Sequence, residues 1–223
     1  MANRNSLENQ DVFHIMQNCR PMRRLKPDPV PQALLEEILD AASCAPNSLN
    51  SQPYHFIVVR DPDIKAFFGE HYDHAMQTRF SAMQPADDDN SAFARNVRTA
   101  MAFGKTMKDV PVLLIVVGER DWPFAVPEDE RIGVAPPSYG SVYPAIQNVL
   151  LACRARGLGA SLTTMQQVFE NELAERLELP ANQGVVAVIP IGYPKGNFGP
   201  VTRKPSRELT FHDRWGQRQQ GVD

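Results

Sequence analysis

Cysteine is scarce in this chain: Cys19, Cys44 and Cys153 are the only three, far apart and without a CxxC pair. An odd and sparse set argues against a disulfide-built domain and fits buried apolar thiols in a reducing cytoplasm. Long hydrophobic runs are missing too. "VLLIVVG" and "VVAVIPIG" are the longest, well short of the roughly 20 residues that a membrane-crossing helix needs. The opening "MANRNSLENQDVFH" has no apolar stretch of the secretory kind, so the expected location is the cytoplasm, with no membrane partner. Positive charge is not in excess: 23 Lys and Arg stand against 26 Asp and Glu, a net charge of −3. That balance speaks against a general nucleic-acid binder.

Several chemical signatures are absent as well. No GxSxG marks a hydrolase nucleophile, and no GxxxxGK[ST] marks a nucleotide phosphate loop. "RGLGAS" opens like a dinucleotide fingerprint, but the third glycine position is Leu162 and the glycines follow a helical pattern instead of a strand. Glycine capping of a helix C-terminus explains them better. His71 and His74 lie three residues apart beside Glu70 and Asp73, with no further ligand at metal-site spacing, and read as a solvated helix face.

What is present is a core. With 223 residues and 43% hydrophobic composition, the chain is expected to form one domain over residues 1–223. Apolar residues recur at helical spacing over 10–19 and, more clearly, at Leu34, Leu35, Ile38, Leu39 and Ala42. Further helices are expected over 62–83, 91–108, 141–156 and 169–179. Strands are expected at "YHFIVVR", "VPVLLIVVGE" and "VVAVIPIGYP", with a weaker one at "ASLTT". Helices around these strands make an α+β layered domain. The Pro-rich connection of residues 120–139 has the length of a lid or binding loop, and Trp122, Phe124 and Tyr139 are candidates for its pocket wall. The tail, residues 195–223, is rich in Gly, Pro and Arg, yet it holds Phe198, Leu209, Phe211 and Trp215, which need a surface on this chain or a partner.

Two patterns carry chemistry. "APNSLNSQP" places Asn47, Ser48, Asn50, Ser51 and Gln52 between Pro46 and Pro53 with no charge among them. A stiff, neutral, hydrogen-bonding loop suits a planar uncharged ligand edge. "CRPMRRLKP" and "TRKPSRE" concentrate cations in short connections. Guanidinium forks match phosphate oxygens, although solvated basic turns give the same composition.

Taken in order, the arginine segment, "LLEEILDAASCAPNSLNSQPYHFIVVRD", "YPAIQNVLLACRARGLGASLTT" and "VVAVIPIGYP…RKP" closely resemble the FMN-dependent nitroreductase family. The resemblance spans about residues 19–209 and is weakest over 64–108. It implies a nitroreductase-like fold, a central mixed β-sheet wrapped by helices, in an intertwined homodimer with two FMN molecules at the interface. The tail of residues 195–223 would then pack on the partner subunit. The cofactor-binding residues implied are Arg20, Pro21, Met22 and Arg23 of the arginine segment, with Arg20 on the phosphate and Arg23 near flavin N1 and O2. Arg203 would reach the phosphate, Pro46, Asn47, Ser48 and Asn50 would come from the other subunit, and Leu162, Thr163 and Thr164 would lie near N5. Two positions depart from the family pattern: Cys19 replaces an arginine, and Pro21 replaces a serine, removing a hydroxyl and a backbone donor.

The activity so implied is NAD(P)H-dependent, ping-pong hydride transfer to a small aromatic acceptor, a nitro compound or a quinone. The flavin carries the chemistry, so no protein side chain is assigned as catalytic and no metal is expected. Relatives of the same fold allow other outcomes: reductive dehalogenation, enone reduction, flavin destruction, or FMN binding without turnover.

Overall fold

The computed structural model describes residues 11–120 and 139–218. Among these residues six α-helices, α1 (Val12–Gln17), α2 (Gln32–Ser43), α3 (Pro62–Phe80), α4 (Ala92–Thr106), α5 (Tyr139–Ala155) and α6 (Glu170–Arg176), surround four strands. The strands are β1 (Tyr54–Val59), β2 (Val112–Glu119), β3 (Gly159–Ala160) and β4 (Gln183–Gly192), in the order β1-β2-β4-β3.

β2 explains why its sequence is apolar without alternation. Val112, Leu114 and Val116 face a core made with Leu35, Ile38 and Ala42 of α2 and Ala145, Ile146 and Val149 of α5. Leu113, Ile115 and Val117 face a second core with Phe68, Tyr72 and Met76 of α3 and Phe103 of α4. Both faces are covered, so every position except the last is buried. A bulge at Val186 of β4 lies where Val116 pairs with Ala187 and Val117 with Val185. The extra residue sends Val185 to the second core while Ala187, Ile189 and Ile191 stay in the first.

The expected mixed sheet is corrected here: every described pairing is antiparallel. Two helices, α3 and α4, separate β1 from β2, so the chain returns to the end where β1 finished and β2 runs back beside it. One described helix, α5, lies between β2 and β3, which run in the same direction, but β4 lies between those two strands and no parallel pair forms.

The helix ends are set by local chemistry, and the glycine stop expected after α5 is present. Asp61 caps α3, accepting from the Asp63 and Ile64 N–H groups at 2.9 Å, with Pro62 at the first helical position. Ser91 caps α4 through the Ala94 N–H at 3.1 Å. Gly157, at φ +74°, ends α5 in the left-handed region, where Leu158 N–H reaches back to the Cys153 carbonyl. Gly159 has a different task. It pairs with Gly192, and a Cβ there would stand 2.8 Å from both Met22 Cβ and Leu25 Cδ2.

Overpacking at that contact has a measurable cost. Gly159→Val is expected to lower stability by about 1–3 kcal/mol in chemical denaturation. Gly140→Ala, where an added Cβ meets nothing within 4 Å among the described residues, should leave stability within about 0.5 kcal/mol.

Candidate functional site

The arginine segment is laced to the β3 end of the sheet. Met22 N–H donates to Ala160 O at 3.0 Å, Lys26 N–H to Tyr193 O at 2.7 Å and Lys195 N–H to Arg24 O at 2.8 Å. Leu25 bridges Pro194, and Val201 N–H donates to Gln17 O at 2.9 Å. Met22 and Leu25 drive this docking because they are the apolar members of a cationic stretch, and both are buried. Met22 therefore acts as an anchor, with its side chain in the core and its N–H spent. Arg20, Pro21 and Arg24 stay exposed and Arg23 is half-buried.

The cations gather against residues 196–199. Arg20 Nη2 donates to Asn197 O at 2.9 Å, and a Cβ at Gly196 would lie 3.7 Å from Arg24 Nη2. Arg203 follows Val201 by two residues, exposed, with its Nη1 on the Thr202 carbonyl. The two basic clusters thus lie along one lacing of chain.

Beside the lacing, the β3–β4 ladder is interrupted. It pairs Ala160 with Ile191 and resumes as an isolated bridge between Thr163 and Val188. The shared register puts Ser161 opposite Pro190, which has no N–H to offer. Leu162, Thr163 and Thr164 lie half-buried along this break. Thr163 Oγ1 accepts from Met165 N–H at 3.2 Å and lies 3.4 Å from the Tyr72 hydroxyl. Burial pushes the Tyr72 phenol up, while the Thr163 contact and the charge of Arg23 oppose that shift. Tyr72 and Thr163 thus meet, with the charge of Arg23 within electrostatic reach. Tyr72 was missed in the sequence because it sits where the family pattern is weakest. Its signal was the apolar spacing of Phe68, Tyr72 and Met76 on one helix face.

The neutral loop is built under strain. Leu49, Asn50 and Gln52 have φ of 52°, 54° and 47°, a region that residues with side chains seldom occupy. Asn47 holds the loop in this form: Nδ2 donates to Ala45 O at 3.2 Å and Oδ1 accepts from Gln52 N–H at 2.9 Å. Ser51 donates twice to Ser48 O, from N–H at 2.9 Å and Oγ at 2.7 Å, while Ser48 N–H donates to Ser141 Oγ at 3.2 Å. The Asn47 amide is therefore occupied within the loop. What the loop presents outward is exposed Pro46, Ser48 and Asn50, and Leu49 at 75% exposure.

Within one chain these two assemblies are far apart. The loop enters β1 at Tyr54, which pairs with Gly118 at one end of β2. The lacing packs on Gly159 and Gly192, beside Ile191, which pairs with Val112 at the other end. Six residues along β2 and three strand spacings across the sheet give roughly 20 Å and about 14 Å of separation. The loop residues and the arginine segment do not meet in a single subunit.

A group the sequence reading passed over lies under the lacing. Arg154 of α5 is 6% exposed, and its guanidinium carbon sits 4.2 Å from the centre of the Phe198 ring. Its Nε has no hydrogen-bond partner. Cys19 is its neighbour: burial pushes the Cys19 thiol up, partly offset by the Arg154 charge, and the Sγ lies 3.6 Å from Leu150 O. His71, weighed as a metal ligand, has its Nδ1 2.9 Å from Phe67 O and its ring between Phe67 and Phe169. Trp122 and Phe124 lie outside the described residues. Tyr139 packs edge-on against Tyr143 at 5.6 Å.

A laced cation cluster, an interrupted strand and a rigid neutral loop, set on an antiparallel sheet between helices, define a class of protein. The profile of the Nitroreductase family matches residues 19–193, and the chain belongs to that family of oxidoreductases. A relative from Thermus thermophilus named NADH dehydrogenase is 30% identical over 198 residues, covering 86% of this chain and 91% of the relative. A protein of Methanothermobacter thermautotrophicus bearing the name "Putative NADH dehydrogenase/NAD(P)H nitroreductase" is 29% identical, covering 85% of this chain and 80% of its own length. Among solved structures, oxidized iodotyrosine deiodinase bound to FMN and 3-iodo-L-tyrosine shares the fold, with a TM-score of 0.68 and 22% identity over 92% of this chain and 99% of that one.

The loop's internal bonds generate a first expectation. Asn47→Ala should speed hydrogen exchange at the Gln52 amide by about three- to tenfold, one hydrogen bond's worth, while Ser48→Ala, which removes a hydroxyl that makes none of the loop's bonds, leaves that amide unchanged. The thiols give another. Exposed Cys44 is expected to be alkylated first, with Cys19 and buried Cys153 following only on unfolding, as read by mass spectrometry over time.

Proposed function

We propose that this chain is an NAD(P)H-dependent FMN oxidoreductase that reduces nitroaromatic or quinone-like acceptors in a ping-pong cycle, acting as an intertwined homodimer. The observation that carries the reading is the split site: phosphate-suited cations at one end of the sheet and a strained, uncharged loop at the other, too far apart to serve one ligand within one subunit. In a two-fold dimer each loop faces the partner's lacing. Exposed apolar residues on α1, Val12, Phe13 and Met16, supply surface for such an interface, as do Leu209 and Trp215 of the tail.

The residues present fit FMN. Arg20 and Arg24 gather at residues 196–199, and across residues 18–26, 148–160 and 193–205 no acidic side chain occurs. When bound, the flavin supplies hydride acceptance and donation at its ring, which is why the site needs no protein nucleophile. Arg23 places positive charge next to Tyr72 and Thr163, where it would stabilise negative charge developing on the ring. The unpaired stretch at residues 161–162 leaves backbone groups available to a ring edge. Asn50 and Ser48 of the partner loop offer neutral hydrogen bonding, and the loop's own bonds reduce the ordering cost of binding.

A second reading, reductive dehalogenation by the same flavin, is favoured by the structural likeness to iodotyrosine deiodinase. Both readings require the cofactor, and the acceptor separates them.

The purified protein is expected to show flavin absorption near roughly 370 and 450 nm that bleaches on anaerobic addition of NADH or NADPH. Re-oxidation should then be faster with a nitroarene or quinone than with air. Re-oxidation by a halogenated phenol instead would move the assignment to the second reading. A protein that stays colourless after incubation with FMN overturns both.

A further inference from the structure

The cation that the family pattern places at position 19 is missing, and a different cation stands next to that position. Cys19 is small and neutral, and its thiol is a weak donor occupied near Leu150 O. Beside it the guanidinium of Arg154 is buried in a way that costs free energy. The residue is 6% exposed, its Nε is unpartnered, and among the described residues no carboxylate is paired with it. The next arginine on the same helix turn, Arg156, does have its partner, Glu37 at 2.7 Å. A buried cation without an anion is a strong indication of an anion brought by a ligand. Stacking on Phe198 offsets only part of that cost and fixes the plane of the guanidinium. Phe198 follows Asn197, whose carbonyl holds Arg20, so the two arginines contact adjacent residues of one short stretch.

From this we propose that Arg154 is the second guanidinium of the phosphate-monoester site, supplying from helix α5 the charge that Cys19 does not. An arginine at position 19 would set a second cation against Arg154. Cysteine there leaves Arg154 as the near charge. The ligand chemistry is a phosphate dianion carried by an otherwise neutral molecule. Arg20, exposed beside Asn197, and Arg154, buried beside Phe198, would both hold it. This assignment rests on the flavin reading above.

The test compares FMN with riboflavin, which lacks only the phosphate, binding to the full-length apoprotein by quenching of flavin fluorescence. Arg154→Met keeps an unbranched apolar side chain under Phe198 and removes the charge together with the guanidinium stack. It is expected to weaken FMN binding at least tenfold while changing riboflavin binding less than twofold, and Arg154→Lys should recover part of the loss. Equal weakening of both ligands, or no change in either, assigns Arg154 to packing and overturns the proposal. If Arg154→Met does not fold, Arg154→Lys alone decides. A fall in the FMN-to-riboflavin affinity ratio supports the site, and an unchanged ratio overturns it. Wild-type apoprotein that takes up neither flavin would instead overturn the flavin reading itself, and the Arg154 assignment with it.

Discussion

Everything at the cationic end depends on one close approach: two facing glycines with no side chains between the sheet and the segment laid over it. Gly159 and Gly192 pair across β3 and β4, and added Cβ atoms would meet Leu25, Met22 or Pro111 at under 3 Å. Because that space is open, the apolar residues of the arginine segment sink into the core. Arg20, Arg23 and Arg24 are then held on a fixed backbone, although they sit on a connection instead of an element. The same approach brings Met22 to Ala160 and so sets the segment beside the interrupted ladder. A methyl group at position 159 would move the charges along with the chain.

Much of this was legible in the sequence. The clearer helices followed from apolar spacing, the three strong strands from their apolar β-branched runs, and the end of α5 from its glycines. The family followed from the order of short blocks. Other features were hidden for physical reasons. "ASLTT" reads as a strand, yet only Gly159 and Ala160 form the ladder, because Pro190 on β4 cannot bond the residue opposite it; the two positions meet only in the folded sheet. Residues 47–52 read as five hydrogen-bonding side chains for a ligand, but composition does not tell a side chain that reaches outward from one that closes its own turn. Asn47 does the second. Arg154 was hidden among ordinary helix residues, since nothing in "LLACRARG" separates a buried arginine from the exposed one two positions later.

Electrostatics follow the same division. The chain is acidic overall, but residues 18–26, 148–160 and 193–205 carry no acidic side chain, and Glu37 is engaged with Arg156. The cations near residues 196–199 thus have no acidic residue within those stretches of sequence. They are gathered by a stretch whose Gly196 and Gly199 let backbone and guanidinium groups come close. In the proposed dimer the neutral loop would complement this: a site with charge at one end and none at the other would select a ligand with one ionic end and one flat uncharged end.

The distance between those two ends has a genetic consequence. In a dimer of the proposed kind, each site takes its lacing from one chain and its loop from the other. Consider a chain damaged only in the lacing paired with a chain damaged only in the loop. One site of that mixed pair collects both defects, and the other collects neither. Two alleles that are each inactive alone would restore one site in every mixed dimer, about a quarter of all sites when the chains pair at random, whereas two damaged in the same half would restore none.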